Sequence, residues 1–263
     1  ECTGDDATLF WSGPVDLFFY RFFMDQAIRT HVRQQIRNAM TPDVSGVGFI
    51  CHSMGTAVLH DTLAEVFNDP GTFGAIANMN VLLYAAIANV STVFKSIADP
   101  HVSPVRPKKS LTSGGQGTAR VDVFINAHHA LDPVPYLGMF RPKWNKARSF
   151  YLDIDCGPPK WIDVHGLVKY LMNPRVHIPI MRTMCNADIA AGREAQEIAV
   201  YDALPGDGCP TALASLADDV LAVKAAWDAR TQKGAAQCIA TLVQAVKAFR
   251  NARTACLAEG GNP

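Results

Sequence analysis

The chain has 263 residues, enough to bury a full core as one large domain or as a domain with an extension. Its 24 basic and 24 acidic residues cancel without long runs of like charge, which excludes a nucleic-acid footprint and a polybasic membrane anchor. Charged residues or Asn interrupt its apolar stretches well short of the roughly 20 residues of a membrane span, so no transmembrane segment is expected. Seven cysteines are an odd number, so at least one lacks a partner within the chain. Their spacings match neither a zinc ribbon nor C-x-x-C, and neither a metal nor a cofactor is expected. The chain starts at Glu1 with no visible signal peptide, which reads as cleavage or as a fragment.

In chain order, residues 14–40 carry apolar side chains at helical spacing (Leu17, Tyr20, Phe23, Met24, Ile28, Val32), a run broken by Thr41-Pro42. Residues 46–51 (GVGFIC) read as a buried strand, and Met54 to Phe67 as a helix with Val58, Leu59, Leu63 and Val66 on one face. Residues 81–87 read as the next strand. Residues 100–118, rich in Pro, Lys, Ser and Gly, read as a mobile surface loop or a lid. Strands are expected at 120–126 and 148–154, and a helix over Gly166 to Leu171 that Pro174 ends or restarts. This alternation predicts an α/β fold with a mostly parallel sheet flanked by helices.

The tail differs. Leu213, Leu216, Val220, Val223 and Trp227 share one helical face, and Ile239, Leu242, Val246 and Phe249 another, with a turn from Thr231 to Gly234 between them. The division is then an α/β unit over 1–184, a linker over 185–209 and a helical-hairpin extension over 210–258. Antiparallel helices would bring Cys209 and Cys256 together at the open end, close enough to bridge; the alternative is two independent cysteines. A bridge would imply an oxidising compartment, extracellular or periplasmic.

The strongest local signal is Gly48-Phe49-Ile50-Cys51-His52-Ser53-Met54-Gly55. A serine between a buried strand and a helix must turn sharply, which lifts its hydroxyl toward the cleft at the strand's carboxyl end. Small residues are expected two before and two after it, where Cys51 and Gly55 stand. At a helix N-terminus the dipole favours negative charge, and the Met54 amide can donate to an oxyanion. The competing role for Ser53 is a plain N-cap.

Serine is a weak nucleophile and needs a base oriented by a carboxylate. On α/β folds the chain order is Ser, acid, His, each following a strand. The strand at 120–126 leads into a loop carrying Asp132, stiffened by Pro133 and Pro135. The strand at 148–154 leads through a proline-rich loop to His165, just before a helix. Asp153, Asp155 and Asp163 compete for the acid, and Asp163 could hold His165 locally. Among the other histidines, His52 lines the elbow and the substrate pocket, and His60 packs. His31 and His177 sit on the surface or pack, while His128 and His129 border the pocket or hold the acid loop.

These motifs resemble bacterial α/β-hydrolases and, more distantly, the fungal-type (class 3) lipases. Those proteins share a histidine-serine-x-glycine elbow, an Asp-Pro-Val or Asp-x-Val-Pro acid loop, and a final histidine ahead of a helix. Ser53, Asp132 in Asp132-Pro133-Val134-Pro135, and His165 in Asp163-Val164-His165-Gly166 match, and residues 31–37 resemble the helix before the nucleophile strand. The likeness spans roughly residues 10–184. The family carries a longer stretch ahead of its serine, with early strands and a second oxyanion donor; here 52 residues precede Ser53. Either those strands are missing or Thr8 to Gly13 survives from them, with Ser12 and Gly13 as candidate donors.

The expectation is hydrolysis of a small-molecule or lipid carboxylic ester through an acyl-enzyme, as in an esterase or lipase. Tyr136, Leu137, Met139, Phe140, Trp161 and Ile162 are candidates for an apolar acyl pocket, or for ordinary packing. The rivals are an acyltransferase or thioesterase with the same triad, and a degenerate hydrolase kept as a binding module.

Overall fold

Short apolar runs bounded by turn formers become four strands: β1 (Gly46–His52), β2 (Val81–Ile87), β3 (Val123–His128) and β4 (Tyr151–Asp155). The computed structural model describes residues 20, 24–41, 43–68, 74, 81–92, 99–108, 119–136, 140, 142, 144, 150–231 and 234–263. All four strands run parallel, in the order β1-β2-β3-β4. Because side chains alternate along a strand, each register row faces one side. Phe49, Tyr84, Phe124 and Tyr151 form one row; Ile50, Ala85, Ile125 and Leu152 form the next.

The first row faces helices α1 (Asp25–Ala39) and α2 (Met54–Asn68), whose Ile36, Leu59, Leu63, Val66 and Phe67 join Tyr84, Phe124, Phe140, Trp144 and Tyr151 in one core. Beyond β3 lies the short helix α3 (Pro133–Tyr136), and the second row faces Tyr170 of α4 (Leu167–Met172) and Val176 and Ile180 of α5 (Pro174–Met184). Helices on both faces of a parallel sheet make this an α/β protein. Each large apolar side chain fully buried in these layers contributes roughly 1.5–3 kcal/mol. Among the described residues β1 and β4 are the edge strands, and Ile50 of β1 is 53% exposed.

Several boundaries differ from expectation. The first helix is described from Asp25, its earlier part lying outside the described residues apart from Tyr20 and Met24. β3 starts later than residue 120 because Val121 bridges Pro107 and the Asp122 carboxylate accepts from the Leu82 amide. It runs on to His128 because β4 supplies Asp155 opposite. The expected surface loop or lid at 100–118 is corrected at its start: Ser103 to Pro107 are buried. Residues 109–118 lie outside the described residues. Pro174 restarts the helix, and Asn173 caps it by accepting from the Arg175 amide.

The stretch expected as a linker holds α6 (Ala191–Asp202), in which Tyr201 alone is buried. Helices α7 (Pro210–Asp228) and α8 (Ala235–Ala258) form the expected hairpin, closed at its open end by a Cys209–Cys256 disulfide. No described helix is long and apolar enough to cross a membrane.

Candidate active site

In a parallel sheet every carboxyl end lies on one edge, which brings together loops distant in sequence. Ser53 follows β1, Asp132 follows β3 and His165 follows β4. Ser53 sits between strand and helix with φ 51°, a left-handed conformation that costs a non-glycine residue about 1–3 kcal/mol. Its amide donates to Ile87 O, and its carbonyl accepts from the Thr56 amide and hydroxyl. Ser53 is therefore held in a strained turn and is not a simple helix cap. Cys51 lies buried beneath it and donates to Ala85 O, and burial pushes the thiol up to about 12. A methyl group at Gly55 would stand 3.8 Å from Cys51 Cβ, an ordinary contact, so this approach is looser than the small-residue argument implies.

The Ser53 hydroxyl donates to His165 Nε2 over 2.8 Å, and His165 Nδ1 donates to Asp132 Oδ2 at 2.8 Å and Oδ1 at 3.0 Å. Burial disfavours a charged His165. The Asp132 carboxylate and its hydrogen bond, helped by Asp163, outweigh burial and raise the pKa above the ordinary histidine value. Asp132 is fully buried. It also accepts from the Val134 amide at 3.1 Å and the Tyr170 hydroxyl at 2.9 Å. Burial and the neighbouring Asp132 keep the Tyr170 phenol far above its usual range, so it stays a neutral donor.

The competing carboxylates are engaged elsewhere. Asp153 bonds Asn126 and lies near His128, Asp155 accepts from the Gly157 amide, and Asp163 accepts from the Gly166 amide. A Cβ at Gly166 would lie 2.1 Å from an Asp163 oxygen, so that turn requires glycine unless Asp163 moves. His129 holds the loop of Asp132: its ring accepts from the Leu131 amide and its carbonyl from the Asp132 amide. His52 donates from Nε2 to His165 O at 2.7 Å, with ring centroids 4.9 Å apart. Burial and then His165 lower its pKa, so it remains a neutral donor under the loop of His165.

A second Ser-His-Asp contact set shows what this one has in addition. His60 lies 2.8 Å from Ser103 Oγ and 3.2 Å from Asp61 Oδ1, but all three are at most 3% exposed. Ser103 Oγ also accepts from the Val105 amide, and Asp61 from the Tyr20 hydroxyl. That set is a sealed polar bridge in the core, whereas Ser53 and His165 are partly open to solvent.

Met54 opens α2, and amides of a first helical turn lack an intrahelical acceptor. Ser12 and Gly13, the other oxyanion candidates, lie outside the described residues, as does the side chain of Tyr136. Trp161, expected at the substrate pocket, has partners of its own. Its indole donates to Tyr201, Lys169 stands 4.1 Å over its ring, and it lines a cavity of about 20 Å³ with His129, Cys156, Tyr170 and Tyr201. That volume holds about one water. Tyr170 is the neighbour of Asp132 that the sequence did not disclose; its place on the buried face of the helix after His165 is the one available sign. No group of three or more His, Cys, Asp or Glu among the described residues is placed to hold a metal ion. Comparison of the chain with protein-family models, curated proteins and solved structures gives no match.

Proposed function

We propose that the chain is a serine hydrolase of the α/β-hydrolase type that cleaves carboxylic esters. The observation that carries the reading is the strained Ser53, its hydroxyl 2.8 Å from His165 Nε2, with His165 Nδ1 bonded to the buried Asp132. His165 takes the Ser53 proton as Oγ attacks the ester carbonyl, and Asp132 stabilises the imidazolium that forms. The oxyanion is met by the Met54 amide at the N-terminus of α2, together with a second donor. His165 returns the proton to the leaving alcohol, and water activated by the same ring releases the acid. The Cys209–Cys256 disulfide supports an oxidising compartment.

The test is hydrolysis of p-nitrophenyl esters of short, medium and long acyl chain by the wild type and by Ser53→Ala. Turnover by the wild type that Ser53→Ala lowers by at least about 10³-fold is expected. Equal turnover by the two proteins would remove Ser53 from the chemistry, and a folded wild type inert toward every chain length would sink the esterase reading.

A further inference from the structure

The helical hairpin touches the chain next to each of the three residues of the proposed triad. At the disulfide end, Cys209, Leu216, Phe249, Ala252 and Cys256 share a buried cluster with Leu131, Ile162 and Val164. Leu131 precedes Asp132, and Val164 precedes His165. At the turn end, Trp227, Cys238 and Leu242 share another cluster with Val134, Ala57 and Val58, with Met54 packed against it. Met54 follows Ser53, and the Val134 amide donates to Asp132. The 19 residues of α7 reach about 28 Å, enough to run from one end of the site to the other.

The disulfide end is also tied to the base loop by polar contacts. The Asp207 carboxylate, 7% exposed, accepts from the Ile162 amide at 2.6 Å. The Asp207 amide donates to Lys160 O, and its carbonyl accepts from the Asn262 amide beyond α8. Gly206 beside it has φ 66°, and a Cβ there would fall 1.9 Å from Lys160 O, so the two loops meet backbone to backbone. Glu259 accepts from the Ala212 amide in the first turn of α7.

We propose that the disulfide-closed hairpin is the positioning frame of the triad, with Asp207 the positioning residue that sets the base loop through Ile162. The inference rests on the serine-hydrolase reading and goes beyond it by giving the tail a role in the chemistry. Asp207 touches none of the reacting atoms and acts through the backbone that carries His165. Without its carboxylate the Ile162 amide is buried and unpaired, and the loop drifts from Asp132 and Ser53. A displacement of order 1 Å lowers the rate by as much as ~100-fold.

The experiment measures the rate at which a fluorophosphonate labels Ser53 in the full chain across pH, with the labelled residue located by mass spectrometry. Wild type, Asp207→Ala and Asp207→Asn are compared, each shown to be folded by circular dichroism. Asp207→Ala is expected to label ~10–100-fold more slowly. Asp207→Asn, which keeps an acceptor for Ile162, is expected to stay near the wild-type rate. Among the described residues, the groups next to His165 include Asp132, His52, Ser53 and, on its own loop, Asp163, with the Tyr170 hydroxyl bonded to Asp132. A ring that drifts from Asp132 loses the partner that raises its pKa, so the acidic limb of the Asp207→Ala profile moves to lower pH.

A purely structural role would lower the folded fraction and leave that limb in place. Wild-type rate and pH profile in folded Asp207→Ala, with the wild type labelled at Ser53, would overturn the frame while sparing the hydrolase reading. A wild type unlabelled at Ser53 would overturn both. If Asp207→Ala does not fold, Phe249→Leu, which shaves the hairpin surface in the cluster shared with Leu131 and Val164, decides on the same two readouts.

Discussion

A buried carboxylate that accepts three donors depends on each of them. Tyr170→Phe keeps the shape of the side chain and removes the hydroxyl that donates to Asp132 Oδ2. Hydrogen bonds to charged groups contribute about 1.5–3 kcal/mol, so urea denaturation of Tyr170→Phe is expected to show a loss in that range. If about 1.4 kcal/mol of it is felt in the transition state, kcat/KM for an ester falls roughly tenfold. Unchanged stability would mean that the hydroxyl contributes nothing at Asp132. The meeting of Ser53, His165 and Asp132 was legible because each has a local sequence form: a strand-turn-helix for the serine, a strand running into a proline-stiffened loop for the aspartate, and a histidine ahead of a helix. Tyr170 was not, because nothing along the chain distinguishes a tyrosine that donates to a carboxylate from one that fills the core. The place of Trp161 was not legible, because an aromatic residue near His165 can turn to either side of its loop, and here it meets Tyr201 and Lys169.

At the scale of elements, the Cys209–Cys256 bridge closes a loop of 47 residues that contains α7 and most of α8. Loop-closure entropy assigns a bridge of that span about 4 kcal/mol. Replacing both cysteines by alanine is expected to lower the denaturation midpoint by a corresponding amount, with added dithiothreitol then without further effect on the variant. A variant as stable as the wild type would show that packing in the hairpin carries the whole load. The hairpin itself was readable, since two long apolar stripes separated by a short polar turn have few other solutions. Helix α6 was not. It is built from good helix formers but buries Tyr201 alone, so it has no apolar stripe to betray it. The boundaries of β3 shifted for a different reason: a strand lasts as long as its neighbour offers pairing, and His128 has Asp155 opposite while Val121 bridges Pro107 instead.

At the scale of the whole molecule, α2 shows how far the tail is integrated. The expectation of one apolar face gave way to burial of nearly every residue from Thr56 to Phe67, because the sheet and α1 cover one side and the turn end of the hairpin covers another. A helix enclosed in this way couples what lies on its two sides, so the tail is not expected to melt ahead of the loops that carry Ser53, Asp132 and His165. Trp227, 4% exposed in the cluster that joins the hairpin to α2, reports its melting from within the native contact. With Trp11, Trp144 and Trp161 replaced by phenylalanine, which leaves Trp227 as the one indole of the chain, fluorescence during urea unfolding is expected to give the same midpoint as far-UV circular dichroism and loss of ester turnover. Coincidence follows if Leu131, Val134, Val164 and Met54 rest on the hairpin, since removing that surface exposes apolar groups next to Ser53, Asp132 and His165. An earlier fluorescence transition, with turnover intact after it, would make the hairpin an independent module and would leave the geometry of Ser53, His165 and Asp132 to the sheet alone.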